Sequence, residues 1–181
     1  TRNRPQGLER CLGSLRSQNV QPFEVVVSDD SDTNLVPDIE KIVKKWSGKY
    51  IRGPQRGLYA NYNQVVLACS GTHIHIMNDD HVFPKGHIEQ CLKAVYSDPY
   101  AIWTTGEVGF INGGYYAKVE TASQLSVSGL PEPVKDINDN WAIAGGSTIF
   151  PREVFERGYR MVEDYRYGSS YLEFGAFLYY H

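Results

Sequence analysis

Two runs of this chain that are rich in β-branched residues end abruptly in pairs of aspartates. The run at residues 72–77 ends in Asn78-Asp79-Asp80-His81, and the run at residues 23–27 ends in Ser28-Asp29-Asp30. A polar turn explains one such ending, because Asn and Asp are common turn residues. A second one is harder to explain, since clustered like charges need a cation or hydrogen-bond donors beside them. The sequence therefore favours a ligand-binding site at these strand ends.

Helical patterns alternate with the strand-like runs along the first hundred residues. Their apolar stripes are Leu8, Cys11, Leu12 and Leu15, then Ile39, Ile42, Val43 and Trp46, then Leu58, Tyr62, Val65 and Cys69, and last Ile88, Cys91, Leu92 and Val95. This alternation predicts an α/β fold with a mainly parallel sheet that helices cover on both faces. All strands of a parallel sheet end at one edge, so we expect both acid clusters to line one crevice.

Length and charge limit the functions that we expect of this chain. A chain of 181 residues forms one domain, and its net charge of −3 gives no electrostatic footprint for nucleic acid, so we expect no nucleic-acid partner. No apolar stretch is long enough to span a bilayer. The three cysteines have no zinc or redox spacing, which predicts reduced thiols and a cytoplasmic protein. Both ends of the chain look cut. Peripheral attachment to the inner face of the membrane, through segments outside this chain, therefore stays open.

Asp79, Asp80 and His81 are the predicted metal ligands. Two carboxylates with an imidazole suit a hard divalent ion that carries phosphate oxygens, such as Mg²⁺ or Mn²⁺. The chain has neither a P-loop nor a Rossmann glycine fingerprint after a strand, so we expect phosphates to need this metal. Asp29 would accept hydrogen bonds from a base or a ribose. For His75, which shares a strand face with Met77, packing is as good an explanation as a ligand role.

Five segments of the chain resemble, in order, the motifs of family-2 glycosyltransferases. They are Thr1-Arg2-Asn3-Arg4-Pro5, the stretch from Val25 to Asn34, the stretch from Arg56 to Asn63, Asn78-Asp79-Asp80-His81, and the stretch from Gly145 to Glu153. The fourth segment stands where that family has its Asp-x-Asp metal motif. The resemblance covers nearly the whole chain, and the order and spacing of the segments are more specific than any one of them.

The resemblance implies a GT-A fold, with a nucleotide-sugar-binding half at residues 1–106 and an acceptor-side half at residues 107–181 of one domain. It implies inverting transfer from a nucleotide-diphosphate sugar, which we expect to be a UDP-sugar, with a divalent metal as cofactor. The acceptor would be a saccharide or a lipid-linked molecule, in cell-wall or polysaccharide biosynthesis. By position in the motifs, the nucleotide-sugar-binding residues would be Thr1, Asn3, Asp29, Arg56, Asn63, Asp79, Gly145 and Gly146.

The catalytic base departs from the family pattern. Inverting transfer needs a carboxylate that takes the proton of the acceptor hydroxyl. Relatives often place Glu-Asp just before the last helix, whereas this chain has Tyr171 at that position. The remaining candidates are Asp164 and Glu173. Both have plainer explanations, because a serine three residues before Glu173 gives it capping-box spacing, and Asp164 with its acidic neighbour fits a solvated loop pair.

Two other functions stay open on the sequence. A non-catalytic nucleotide-sugar-binding domain is one, because no acid stands at the family's usual base position. A nucleotidyltransferase on a similar scaffold is the other. That class usually carries a glycine-rich, basic loop near its N-terminus to hold a triphosphate, and this chain has none.

Overall fold

Helices and short strands alternate through the first hundred residues, as the periodicity predicts. The computed structural model describes residues 1–100, 103–104, 108–111, 114–117, 123–124 and 147–165. The strands are β1 (Val26–Asp29), β2 (Lys49–Arg52), β3 (His73–Met77), β4 (Trp103–Thr104), β5 (Val108–Ile111), β6 (Gly114–Ala117), β7 (Ser123–Gln124) and β8 (Ser147–Pro151). The helices are α1 (Pro5–Arg16), α2 (Val36–Lys45), α3 (Leu58–Ala68), α4 (His87–Ser97) and α5 (Glu153–Glu156).

The described strands pair in both directions. β1 and β2 are parallel, as α2 between them requires, with Val26 opposite Lys49 and Asp29 opposite Arg52. A four-stranded sheet has the order β3-β8-β4-β7, and all of its pairs are antiparallel. β8 reaches β3 from the second half of the chain rather than through a single crossover helix, and the two strands are antiparallel. The predicted parallel pairing is found between β1 and β2. The α/β class itself is confirmed.

Strand β3 carries the core on one of its faces. Ile74 and Ile76 are buried against α3 and against Phe150 of β8. A second cluster joins α1 and α2 to β1, and its buried members are Leu8, Leu12, Val27, Ile39 and Val43. The helices therefore fix the two acid-bearing strands, β1 and β3, from separate apolar clusters.

The buried face of α3 differs from the predicted stripe. Leu58 is 40% exposed, whereas the next residue, Tyr59, is 1% exposed. Leu58 is the first residue of the helix after Gly57, and Tyr59 takes the place in the core. Val65 and Cys69 pack against the cluster as partly buried residues, in agreement with the stripe.

Cys11 and Cys91 are buried and Cys69 is partly buried, and none of them is in a disulfide. Burial raises the pKa of the Cys11 and Cys91 thiols to about 12. These thiols are therefore protonated near neutral pH. Within the described residues, no helix is both long and apolar enough to cross a bilayer.

Candidate functional site

Residues 1–4 connect the ends of β1 and β3. The backbone nitrogen of Thr1 donates a hydrogen bond to the Ser28 carbonyl oxygen at 2.9 Å, and the Asp30 N–H donates to the Thr1 carbonyl oxygen at 2.9 Å. The Thr1 hydroxyl donates to Oδ2 of Asp79. The ends of both strands thus meet at a single residue, so the two acid clusters lie close together as the sequence predicted.

Asp79 and Asp80, called the acid pair below, share one cation. Nη1 of Arg4 lies 3.2 Å from Oδ1 of Asp79 and 3.1 Å from Oδ2 of Asp80. The charge of Asp79, and then that of Asp80, raises the pKa of Arg4 above its ordinary value. Arg4 belongs to the segment from Thr1 to Pro5, and its contact with the acid pair was not predicted from the sequence. The signal that could have found it is a basic residue in a loop expected to face two acid clusters.

His81 lies beside the acid pair. It is 3% exposed, and its Nε2 is 3.8 Å from Oδ1 of Asp80. The three predicted metal ligands therefore lie near one another, with Arg4 between the carboxylates, but their ligand atoms do not all lie within 4.8 Å of one another. Two carboxylates and an imidazole nitrogen form a donor set that fits Mn²⁺ or Mg²⁺, provided that Arg4 moves aside.

The first turn of α1 packs closely against this site. A Cβ atom on Gly7 would lie 3.0 Å from the Asp79 carbonyl oxygen, so a glycine is needed for the helix to come this near. Pro5 begins the helix, and its missing N–H costs nothing at that position. The amino end of a helix carries a partial positive charge. Beside the acid pair it helps Arg4 to offset the negative charge of the two carboxylates.

Asp29 is fully buried and makes its hydrogen bonds within the protein. Its Oδ1 accepts from the Ser31 N–H at 2.8 Å, and its Oδ2 accepts from the Tyr50 hydroxyl at 3.2 Å. Nη1 of Arg52 lies 3.4 Å from the same Oδ2. Burial, and then the charge of Asp29, raises the pKa of Tyr50. Asp29 thus holds the turn after β1 against the end of β2, and its predicted contact with a base stays a prediction.

Asp30 fixes the loop that precedes α3. Its Oδ1 accepts a hydrogen bond from the Gln55 N–H at 2.8 Å. A Cβ atom on Gly53 would lie 2.1 Å from that oxygen and 3.0 Å from the backbone carbon of Asp29. The loop at residues 53–57 can therefore cover the end of β1 only because residue 53 has no side chain.

Asn3 connects the N-terminal loop to the turn after β1. Its side chain donates to Oδ2 of Asp32 at 3.0 Å and accepts from the Asp32 N–H at 2.8 Å. Its own N–H donates to the Ser31 hydroxyl oxygen at 2.7 Å. Asn3 has φ of 56°, a left-handed conformation that Asn adopts more readily than most residues. Thr1 and Asn3 thus belong to one network with residues 28–32.

Helix α3 brings residues 161–163 to the site. Asn63 is 5% exposed, donates to the Met161 carbonyl oxygen at 2.8 Å and accepts from the Met161 N–H at 2.9 Å. Its Nδ2 is also 3.3 Å from Oε1 of Glu163, and Nη2 of Arg56 lies 3.0 Å from Oε2 of Glu163. The neighbouring Tyr62 hydroxyl donates to Oδ1 of Asn78, next to the acid pair. Asn63 and Arg56, predicted to bind the donor, therefore both hold Glu163.

Of the two candidates for the catalytic base, only Asp164 lies within the described residues. Asp164 is exposed, and it accepts no hydrogen bond from any described residue. Glu173 lies outside the described residues, as do Gly145 and Gly146.

Several known proteins are similar to this chain. EpsH of Bacillus subtilis, assigned to the glycosyltransferases, is 27% identical over 88 residues, which are 48% of this chain and 26% of EpsH. TarS of S. aureus superposes with a TM-score of 0.71 at 18% identity, over 99% of this chain and 32% of TarS. The mannosyltransferase PcManGT from Pyrobaculum calidifontis, solved with GDP-Man and Mn²⁺, gives a TM-score of 0.67 at 16% identity, over 96% of this chain and 48% of that protein.

The chain thus spans about a quarter to a half of the length of these relatives. The structural similarity is to GT-A glycosyltransferases, which confirms the predicted fold. Residues 1–158 match the family described as Glycosyl transferase family 2. On that match, which covers most of its length, the chain belongs to glycosyl transferase family 2.

Proposed function

We propose that this chain is the donor-binding part of an inverting glycosyltransferase that uses a nucleotide-diphosphate sugar, in the first instance a UDP-sugar. One observation carries the proposal: Thr1 contacts both strand ends and so gathers Asp30 and the acid pair around one loop. The acceptor in this proposal is a saccharide or a lipid-linked molecule of cell-wall or polysaccharide synthesis. The proposed location is the cytoplasm, and the free thiols of the three cysteines are consistent with a reducing compartment.

The donor's diphosphate would lie at the acid pair. Asp79, Asp80 and His81 would hold a divalent ion, which offsets the negative charge of the leaving diphosphate when it is bound. The Arg4 side chain is 56% exposed, and its planar donors match phosphate oxygens. That PcManGT was solved with GDP-Man and Mn²⁺ supports the choice of a nucleotide sugar and a divalent ion.

The nucleoside would lie against Thr1, Asn3 and the turn that Asp29 holds. Arg56 would reach the donor from the loop before α3, where its side chain is 67% exposed. Asn63 would act by holding Glu163 in place. The proposed donor-binding residues also include Gly145 and Gly146, which precede β8 in the sequence.

Binding of the donor can be tested by titration calorimetry of the 181-residue chain. We expect UDP to bind in the presence of Mn²⁺ and to bind at least about tenfold more weakly after Asp79→Asn, since one ligand of the ion is lost. Arg2→Gln is the matched control, because Arg2 is an exposed cation of the same loop. GDP in place of UDP tests the nucleotide. If neither nucleotide bound with metal, the proposed donor site would be wrong.

The base can be tested by turnover of the bound donor, with release of UDP as the readout. One of Asp164→Asn and Glu173→Gln should abolish turnover while donor affinity stays unchanged, because the base acts on the acceptor rather than on the donor. Glu40→Gln is the control, since Glu40 is an exposed carboxylate of α2 that the proposed site does not use. Full turnover by both variants would exclude both candidates. Donor binding without any turnover by the wild type would favour the non-catalytic binding domain.

A further inference from the structure

A second group of metal-binding side chains lies on β3 and α4. Residues His73, His75 and Met77 alternate along β3 with Ile74 and Ile76, so they occupy the face turned away from α3. His87 and Cys91 are one turn apart on α4 and both are buried. A ring nitrogen of His75, a ring nitrogen of His87 and the Cys91 sulfur lie within 4.8 Å of one another.

The His87 ring has an unusual environment for a core side chain. The residue is 6% exposed, and its Nε2 is buried without a hydrogen-bond partner among the described residues. Leaving such a group unpaired is costly, so nearly all buried polar atoms have a partner. The ring packs on His75 at 5.3 Å between centroids and edge-on to Phe83 at 5.2 Å, and neither ring contact satisfies a nitrogen.

Both imidazoles have the protonation state that a metal needs. Burial lowers the pKa of His75 to about 3 and that of His87 to about 4. At neutral pH each ring is therefore uncharged and keeps a nitrogen lone pair. The Cys91 thiol is protonated, so a metal that binds it must release one proton to solvent.

There is room beside the cluster for the His75 ring to turn and for water to enter. A cavity of about 400 Å³ is lined by His75 and Cys91, among other residues. Ligand atoms of a tetrahedral zinc site are about 3.5 Å apart, so the cluster must contract slightly. The two rings are inclined by only 14°, and one must rotate about its χ2 angle, a soft torsion, before both lone pairs converge.

We propose that His75, His87 and Cys91 bind a zinc ion, with water from the adjoining cavity as the fourth ligand. Two imidazoles and a thiolate are ligands of zinc and copper rather than of Mg²⁺ or Mn²⁺. The site is thus chemically distinct from the acid pair, although β3 leads into both. The ion fastens α4 to the strand whose end carries the acid pair.

Cobalt substitution tests the ligand set directly. Chelator-treated protein is titrated with Co²⁺ and then with Zn²⁺, in the Asp79→Asn background to remove the acid-pair site. We expect one equivalent of Co²⁺ to give a thiolate-to-metal charge-transfer band, Zn²⁺ to displace it, and one proton to be released per ion bound. Cys91→Ser should remove the band and weaken zinc binding by at least about 100-fold, more than the loss of an outer partner.

Cys69→Ser is the matched control, because Cys69 lies outside the cluster and should leave the band unchanged. If Cys91→Ser fails to fold by circular dichroism, the zinc X-ray absorption spectrum of the wild type decides, since it should show one sulfur and two imidazole nitrogens. A shell of oxygen and nitrogen alone would overturn the proposal. So would a folded Cys91→Ser variant with unchanged zinc affinity, or preferential binding of copper(I) with no competition by zinc.

Discussion

Removing the side-chain amide of Asn63 should destabilise the protein and loosen the segment that carries Glu163. The amide pairs with both the N–H and the carbonyl oxygen of Met161, which is 2% exposed. In Asn63→Ala both backbone groups stay buried without their partner, at about 1–3 kcal/mol each. Because water can enter the space that the side chain leaves, we expect a loss of about 2–4 kcal/mol in the free energy of unfolding.

Urea denaturation followed by circular dichroism measures this loss. The slope with urea should be unchanged while the midpoint falls, since the same surface is exposed on unfolding. Asn63→Asp is informative because it keeps the acceptor for the Met161 N–H but turns a carboxylate oxygen toward the Met161 carbonyl and Glu163. It should therefore be destabilised as well.

Leu67→Ala is the control for the helix itself, because Leu67 is 57% exposed on α3. It should change stability by no more than about 0.5 kcal/mol. If Asn63→Ala lost less than about 1 kcal/mol, the amide would not be satisfying the Met161 backbone. Helix α3 would then not hold residues 161–163 in place.

Three further predictions concern the loops and the buried histidines. Gly53→Ala should cost about 2–4 kcal/mol in urea denaturation, because its Cβ would lie 2.1 Å from Oδ1 of Asp30 and displace that carboxylate. Arg4→Gln should raise Mn²⁺ affinity in calorimetry about fivefold in the absence of nucleotide, since a screened ion pair worth about 1 kcal/mol no longer competes with the metal. Chelator-treated protein should lose stability as pH falls from about 6.5 toward 4, because His75 and His87 have folded pKa values of about 3 and about 4, below the unfolded value of 6.5. Thermal melts should show a loss of about 2 kcal/mol per histidine at pH 5.

Each of these has a control in the same chain. Gly71→Ala should be tolerated, because its added Cβ meets nothing closer than 3.4 Å. Arg2→Gln should leave Mn²⁺ affinity unchanged. His87→Gln should remove about half of the loss of stability between pH 6.5 and 4, because His75 still contributes. Equal losses for the two glycine variants, weaker metal binding after Arg4→Gln, or an unchanged profile after His87→Gln would contradict the respective reasoning.

Periodicity was enough to predict the elements that pack locally. The stripe Leu8, Cys11, Leu12 and Leu15 is buried as expected, because each residue is placed by the 3.6-residue repeat of one helix. Leu58 is the exception, since the first residue of a helix has no preceding turn to pack beside. The pairing of β8 with β3 was beyond such patterns, because strand direction depends on a connection through the second half of the chain.

The site was predicted in its position and less well in its internal contacts. The acid pair and Thr1 lie together although β1 and β3 belong to separate sheets, because Thr1 contacts the ends of both strands. Arg4 contacts carboxylates that are 75 and 76 residues away, and no local pattern reports such a pair. Asp29 has the same residue type as Asp79 but is fully buried, because Tyr50 and Arg52 on the neighbouring strand reach it.

The way in which Thr1 connects the two strand ends also bears on how the protein folds. Thr1 is 78 residues from Asp79 in the chain, and Asn63 is 98 residues from Met161. Closing such long loops costs entropy that only later contacts repay, so these bonds form after the local helices and strands. During synthesis, Thr1 can contact Asp79 only after β3 has been made. Folding should therefore end with these long-range contacts, and slow refolding phases should report on the contacts of Thr1 and Asn63 rather than on helix formation.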